Sequence, residues 1–414
     1  MDATRNDSLK TARFLDRRSP PHIVTLVAIA GLSALTMNIF LPSLPSMAKD
    51  FGVSYGTIQI LISGYIAMTA LVQIAIGPLS DRFGRRPTVI GSLVILLVST
   101  LVCMVATDIY TLVAARLLQT AVVAGIVLSR AIVRDMVPME EAASMIGYVT
   151  MGMTIVPMIG PTLGGVLGDA FGWRANFVAI FALGVVVLAL VAADLGETNR
   201  NRSASFSAQF KAWPGLLASP QFWGYTAVVT FTSGAFFAFL GGAPFIGATL
   251  MQMSPSTLGL QFIFIAAGYM GGNFVSGRYA RRYGTSNMML AGTVAMIVGT
   301  LVPAAFLLAG VGSALAFFGP QVIVGFGNGL TLPSANAGVV SVKPHLAGSA
   351  SGLSGAIAMG GGAGTSVFAS SILTVETGAM PMLLVMLACG LLAIAAILYL
   401  RYGDPQDSWR AEEE

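Results

Sequence analysis

Charge is scarce in this chain. Asp, Glu, Lys and Arg make up 10% of its 414 residues while 55% are hydrophobic, whereas soluble domains carry about a quarter charged residues. An ordinary soluble domain is therefore excluded. Histidine and cysteine are nearly absent, with two of each. His22 and His345 lie at the edges of apolar runs and Cys103 and Cys389 inside them, so they build neither a metal site nor a disulfide framework. Both cysteines are expected as buried free thiols. No G-x-x-x-x-G-K-[ST] loop occurs, which removes ATP as a direct energy source. No catalytic constellation appears, and neither an enzyme nor a cofactor is expected. The eighteen acidic residues all fall in tails, in loops or at the ends of apolar runs. A carboxylate in the middle of a membrane span is missing.

What fills the chain instead is apolar runs of about 20 residues or more, the length that crosses a bilayer as a helix. Twelve are read, over roughly 22–47, 55–80, 87–106, 109–135, 140–169, 173–193, 221–250, 255–277, 286–309, 312–341, 346–375 and 378–400. The fold class is all-α and polytopic. Residues 1–21 form a polar tail with no small-residue cleavage site behind a short apolar core, so no removable signal peptide is expected. With that tail in the cytoplasm, nineteen Lys and Arg fall on the inner side and only Lys49 and Arg174 on the outer. Arg116 is left within the membrane. The positive-inside bias places both termini in the cytoplasm, and the net charge of +4 is a topology signal, with nothing in it for nucleic acid.

The longest polar connection, 194–220, divides a six-span half (22–193) from a second (221–400), with a tail over 401–414. "GIVLSRAIVRDMVP" (Gly125 to Pro138) is echoed about 205 residues on by "GLTLPSANAGVVSVKP" (Gly329 to Pro344), and "GPLSDRFGRR" weakly by "SGRYARRYG". An even number of spans per half gives repeats of like orientation, related by an axis along the membrane normal.

Between spans two and three stands "GPLSDRFGRRP", residues 77 to 87. This loop and the two-half architecture resemble the major facilitator superfamily, over the whole chain. "LPSLP" (Leu41 to Pro45), "RLLQT" (Arg116 to Thr120) and "GPTLGG" (Gly160 to Gly165) resemble its drug-efflux branch of drug:proton antiporters, particularly the Bcr/CflA group. The resemblance implies a secondary efflux carrier of the bacterial inner membrane, working by alternating access with proton linkage, and a monomer is expected. It also implies that Asp81 and Arg85 form a charge relay with Asp135 at the cytoplasmic end of span four, a lock on the outward-facing state. Gly77, Arg82, Gly84 and Arg86 complete that gating loop. The plainer alternative is that these arginines only anchor the chain on its positive side.

Small residues recur through span five, at Gly152, Gly160, Gly164 and Gly165, with Pro157 and Pro161 bending it. Glycine admits close helix contact. By resemblance this motif marks exporters and antiporters.

At one point the chain departs from its relatives. Where the Bcr/CflA group has aspartate in "D-x-Y-L-P", this chain reads "NIFLP", with Asn38 in the acid's place. Arg116 lies at a similar depth in span four, counted at about 1.5 Å rise per residue. An ionisable residue inside the membrane is a functional-site hypothesis by default. The alternative is that Arg116 merely pins helices through backbone carbonyls. Polar and aromatic residues inside other spans complete the expected substrate set: Ile39, Gln59, Tyr65, Gln73, Gln119, Met153, Phe231, Phe236, Phe237, Phe239, Phe264, Asn328, Asn336 and Met359. Each Phe or Met has core packing or lipid contact as its competing role. Aromatic and methionine lining with few polar anchors suits small apolar ligands. With an arginine and no acid at hand, neutral or anionic substrates are expected. The competing functions are export of one metabolite, such as a siderophore or sugar, and a non-transporting sensor or scaffold.

Overall fold

The computed structural model describes residues 14–17, 19–136, 145, 149, 156, 159–199, 213–343 and 346–402, the side chains of residues 134 and 281 apart. Ten of its helices are long and apolar enough to cross a membrane. In the first half these are α1 (Ile23–Asp50), α2 (Tyr55–Phe83), α3 (Arg85–Val105), α4 (Ile109–Val133, helical on to Met136) and α6 (Arg174–Asp194). Between the last two, residues 159–171 are helical and form α5. The second half holds α7 (Pro220–Leu250), α8 (Pro255–Ala280, helical on to Tyr283), α9 (Thr285–Leu308), α10 (Ala314–Ser341) and α12 (Met380–Tyr402). Its α11 (Ala347–Ser371) spans 25 residues and is rich in Gly, Ala and Ser, which lowers its hydropathy.

Local chemistry marks the helix starts. Ser54, Asp108, Ser219, Ser254 and Ser313 each accept the backbone N–H three residues on, satisfying donors that a first turn leaves free. Pro220 and Pro255 follow two of these caps, at a position where the missing N–H costs nothing. The tight turns from α2 to α3 and from α8 to α9 each pass through one left-handed residue, Gly84 (φ +105°, ψ 156°) and Gly284 (φ +78°, ψ 154°). These φ values favour glycine, and they repeat at equivalent points of the two halves. The weak sequence echo thus has a backbone counterpart.

Within the second half, α8 packs on α10 and α7 on α11. The halves meet through α2 against α11, through α5 against α8, and where the Leu41–Ser43 turn of α1 meets α7 and α8. The last two meetings, and the hydrogen bonds of the first, lie at the bundle end away from the chain termini. The connection between the halves is partly absorbed by both. Its start, to Asn199, bonds the first half, while Leu216 is fully buried in the second half's core and Gly215 accepts from Lys343 Nζ at 2.8 Å.

Candidate functional site

Arg116 is the starting point, because a guanidinium 1% exposed inside a membrane helix has to find acceptors. Its helix tightens directly after it into a 3-10 turn, Gln119–Val123, which brings Gln119 under the guanidinium. Nη1 donates to Gln119 Oε1 at 2.8 Å, and Nε and Nη2 reach the Leu61 and Met37 carbonyls at 3.4 Å each. Gln119 in turn donates to Thr100 Oγ1 at 2.7 Å. The turn's own carbonyl at Val122 is taken by Ser33 Oγ at 2.6 Å. Phe40 and Tyr65 both lie against the guanidinium, 4.3 and 4.0 Å from its carbon to their ring centroids. Cation–π contacts of this kind are worth about 2 kcal/mol or more when desolvated. Among the described residues no ion pair includes Arg116. Its charge is carried by neutral dipoles and two rings.

Asn38 is not among its partners. The Asn38 amide donates to its own helix, to Ala34 O at 3.0 Å, and leaves Oδ1 buried without a partner. Tyr65 Oη is likewise buried and unpaired. Across the bundle, Asn328 repeats the pattern, donating to Val324 O at 3.1 Å with Oδ1 unpaired. These three oxygens are the unspent hydrogen-bonding capacity among the predicted substrate residues.

The remaining predicted residues separate. Phe236 is half-buried and meets Phe237 edge to face; Phe237 in turn lies against Gly362 of α11. Phe231, Phe264, Met359 and Gln73 are half-buried and Asn336 is exposed. Phe239 is fully buried between Phe262 and Phe318, in the second half's own core. Ile39 is also fully buried, its carbonyl against Gly164. Neither side chain reaches open space. Met153, Gly152 and Pro157 lie outside the described residues.

The described part of α5 is wedged between helices of both halves. A side chain at Gly164 would run into the Ile39 carbonyl of α1, and one at Gly165 into the Pro255 carbonyl of α8. Gly160 faces Leu35 and Asn38, and Gly259 of α8 lies against the Pro161 carbonyl. Thr162 Oγ1 donates to Gly259 O at 3.1 Å, and Ser256 N donates to Asp169 Oδ2 at 2.9 Å. The same bundle end is closed between α2 and the second half by Tyr55, which donates to Gly241 O at 2.8 Å, and by Gln59, which donates to Ser366. Gln59 belongs to this seam, not to a cavity lining as its polarity suggested.

At the opposite end, Arg85 gathers the charged loop. Nη1 contacts Asp81 Oδ1 at 2.6 Å and Nε contacts Asp135 Oδ2 at 3.1 Å, with Ser80 Oγ accepting as well. These are partly exposed pairs, each worth on the order of 1 kcal/mol or less. Arg86 donates to the Leu195 and Ala192 carbonyls at 2.8 and 3.3 Å. Arg82 is exposed, 5.5 Å from the Phe83 ring, and Gly77 O accepts from Ser80 Oγ at 2.8 Å. Each of these bonds stays within the first half.

Two acids that read as mere linker enter here. Glu197 Oε1 accepts from the backbone N of Arg85 and of Asn199, both at 2.9 Å, and its other oxygen fills the space a side chain at Gly84 would need. Asn199 reaches back to the Asp81 carbonyl at 3.1 Å. Asp194 is fully buried at the end of α6 and accepts from Leu15 N, His22 N and Thr25 Oγ1 at 2.7, 2.8 and 2.6 Å. The signal available in sequence was small: acids just past the end of an apolar run, facing an arginine-rich loop.

A helical bundle of two like halves, closed against each other at one end and crossing the membrane many times, is the architecture of a solute carrier. The chain belongs to the Major Facilitator Superfamily, whose family model matches residues 26–367, a superfamily of transporters and not of enzymes. It is 27% identical over 379 residues to multidrug resistance protein D of Escherichia coli, covering 90% of this chain and 93% of that protein. With a chloramphenicol resistance protein of Pseudomonas aeruginosa it shares 29% identity over 325 residues, 77% of this chain and 76% of the relative. Among solved structures it matches a bacterial homolog of the human lysosomal transporter Spinster in an inward-facing, unoccupied conformation, with TM-score 0.70, 17% identity and coverage of 91% of this chain and 95% of that one.

Proposed function

We propose that this chain exports small, largely apolar compounds of the antibiotic type, neutral or anionic, from the cytoplasm across a bacterial inner membrane. The observation that carries the charge preference is Arg116, a buried cation whose partners among the described residues are all neutral, while Asn38 offers no negative charge. A lipophilic cation brought to that depth would face an unpaired positive group. A charge there costs about 2.5–3.5 kcal/mol even on lenient insertion scales. The unpaired oxygens of Asn38, Tyr65 and Asn328 would accept or exchange hydrogen bonds with a polar group on an otherwise apolar solute. Names carried by the relatives, drug and antibiotic resistance among them, support the substrate class.

The bias of Lys and Arg supports cytoplasmic termini, which makes the bundle end joined by Tyr55, Gln59 and Thr162 the outer one. The Asp81–Arg85–Asp135 cluster, with Gly77, Arg82, Gly84 and Arg86 around it, is then the cytoplasmic gating loop, ready-made in the first half and available to α11 when that side closes. Proton coupling, if carried by side chains, falls to acids at the two membrane edges, with Asp81 and Asp135 the foremost. The carrier works as a monomer.

The test is a panel of compounds on drug-sensitive bacteria expressing the chain. Raised tolerance to several neutral or anionic antibiotics, with none to quaternary ammonium dyes, is the expected profile. Protection confined to one compound would narrow the function to a dedicated exporter, and a cation-led profile would refute the charge reading.

A further inference from the structure

The seam at the bundle end away from the termini holds one residue whose bonding is unlike its neighbours'. Gln59 begins the long part of α2 and is 2% exposed. Its amide is satisfied by the other half of the molecule. Nε2 donates to both the carbonyl and the hydroxyl of Ser366 at 3.0 Å, and Oε1 accepts from Ser370 Oγ. Ser366 and Ser370 stand one turn apart on α11, so a single side chain spans both. Gly241 of α7 supplies the room, since a side chain there would come within 2.6 Å of Nε2. The Gly241 carbonyl is engaged in turn by Tyr55, the neighbouring titratable side chain in this clasp. Gln59, the two serines and Tyr55 join α2 to α11 and α7 by uncharged hydrogen bonds.

We propose that Gln59 is a positioning residue for alternation: the latch whose breaking and remaking sets the balance between the closed and open states of this bundle end. The physical reason is the donor geometry. Exit of a solute at this end requires α2 and α11 to part, and Gln59, Ser366 and Ser370 are buried, so the Gln59 amide loses its partners unless water enters with the opening. An uncharged latch stays breakable, because each neutral hydrogen bond contributes modestly once water can replace it. An ion pair buried at the same place would carry the desolvation of two charges into every cycle.

The experiment measures distance, not transport, and so stands apart from the substrate reading. Spin labels on Gly56→Cys and Glu376→Cys, both exposed beside the seam, report its width by electron–electron resonance in substrate-free nanodiscs. Wild type should show a short-distance population that does not change with pH. Gln59→Leu, and independently Ser366→Ala with Ser370→Ala, should shift the balance toward long distances by roughly tenfold, the equivalent of about 1.4 kcal/mol. Gln59→Glu discriminates a latch from mere packing. A carboxylate cannot donate to the Ser366 carbonyl, whereas the protonated acid can. That variant should therefore be open at about pH 8 and closed at about pH 4, below the ordinary carboxyl value of about 4.3. Wild-type distances in the leucine and double-serine variants, or a Gln59→Glu variant blind to pH, would overturn the proposal.

Discussion

The two ends of this bundle are held by opposite chemistry. Away from the termini, halves are joined by neutral groups: Tyr55 to Gly241, Gln59 to Ser366 and Ser370, Thr162 to Gly259. Among the charged groups at that end, Asp169 reaches across to accept from the Ser256 backbone, while the Arg174–Asp50 pair at 3.9 Å stays within the first half. Near the termini, charge is concentrated in Asp81, Arg85, Asp135 and Glu197, and all their mutual contacts lie within the first half and its connector. The contrast separates two tasks. Neutral bonds join the halves in this state, and in the proposed gating reading the charged cluster, whose contacts stay on one half, serves a contact made in another.

The comparison also shows an asymmetry within the repeat. Gly84 and Gly284 have matching backbone conformations, yet Arg85 follows the first and Thr285 the second, and Arg281 stands where the first loop has Asp81. Geometry is repeated between the halves, but the charge relay is not. One half carries the cluster, and the equivalent loop of the other half lacks it.

The heaviest blow to this arrangement should come from Gly165→Leu, which pushes a side chain into the Pro255 carbonyl and pries the neutral seam apart. Overpacking of this sort costs about 1–3 kcal/mol, and here it falls on the interface that holds the state. Transport should fall to background, and a thermal-shift assay should show lowered stability. Next is Asp81→Asn, expected to leave folding nearly unchanged, since a partly exposed pair is worth on the order of 1 kcal/mol or less, while cutting transport severely at normal expression. Asp135→Asn should resemble it, and combining the two should cost less than the sum, because both release the same Arg85. Near-normal flux in Asp81→Asn would sink the gating role of the charged end.

A smaller, qualitative change is expected from Asn38→Asp. A carboxylate at that depth gives lipophilic cations a partner, so ethidium-like dyes should enter the range of exported compounds, with neutral substrates little affected. Smallest of all is Thr25→Ala, which removes one of the three bonds to the buried Asp194 and should lower stability by about 1 kcal/mol without touching flux. Limited proteolysis near Leu15 would report it as faster cleavage of the N-terminal segment.

Much of this molecule was legible in its sequence. Apolar length alone located the spans that the described residues show, whereas the Ser and Pro at their starts and the left-handed Gly84 emerged only with the structure. The pairing of Arg85 with Asp81 and Asp135 followed from resemblance and lies together in the structure. Lateral position was much less legible. These helices are apolar nearly all round, so no stripe tells a lipid-facing side from a core side or from a seam between halves. That is why Phe239, a core residue, read like a ligand contact, and why Gln59, a seam residue, read like a cavity lining. Glu197 and Asp194 were missed for a different reason. They sit where an apolar run gives way to a polar connector, and nothing in the one-dimensional pattern says that the connector folds back onto four helices.

The claim at the centre of this account is that a buried arginine without an acidic partner sets the charge of what is carried. Counterflow in proteoliposomes containing only this protein tests it most directly, with a neutral phenicol-type antibiotic and an ethidium-type cation compared, each with and without an imposed pH gradient. The account predicts counterflow of the neutral compound and none of the cation. Strong counterflow of the cation in the wild-type protein, driven by the pH gradient, would contradict it.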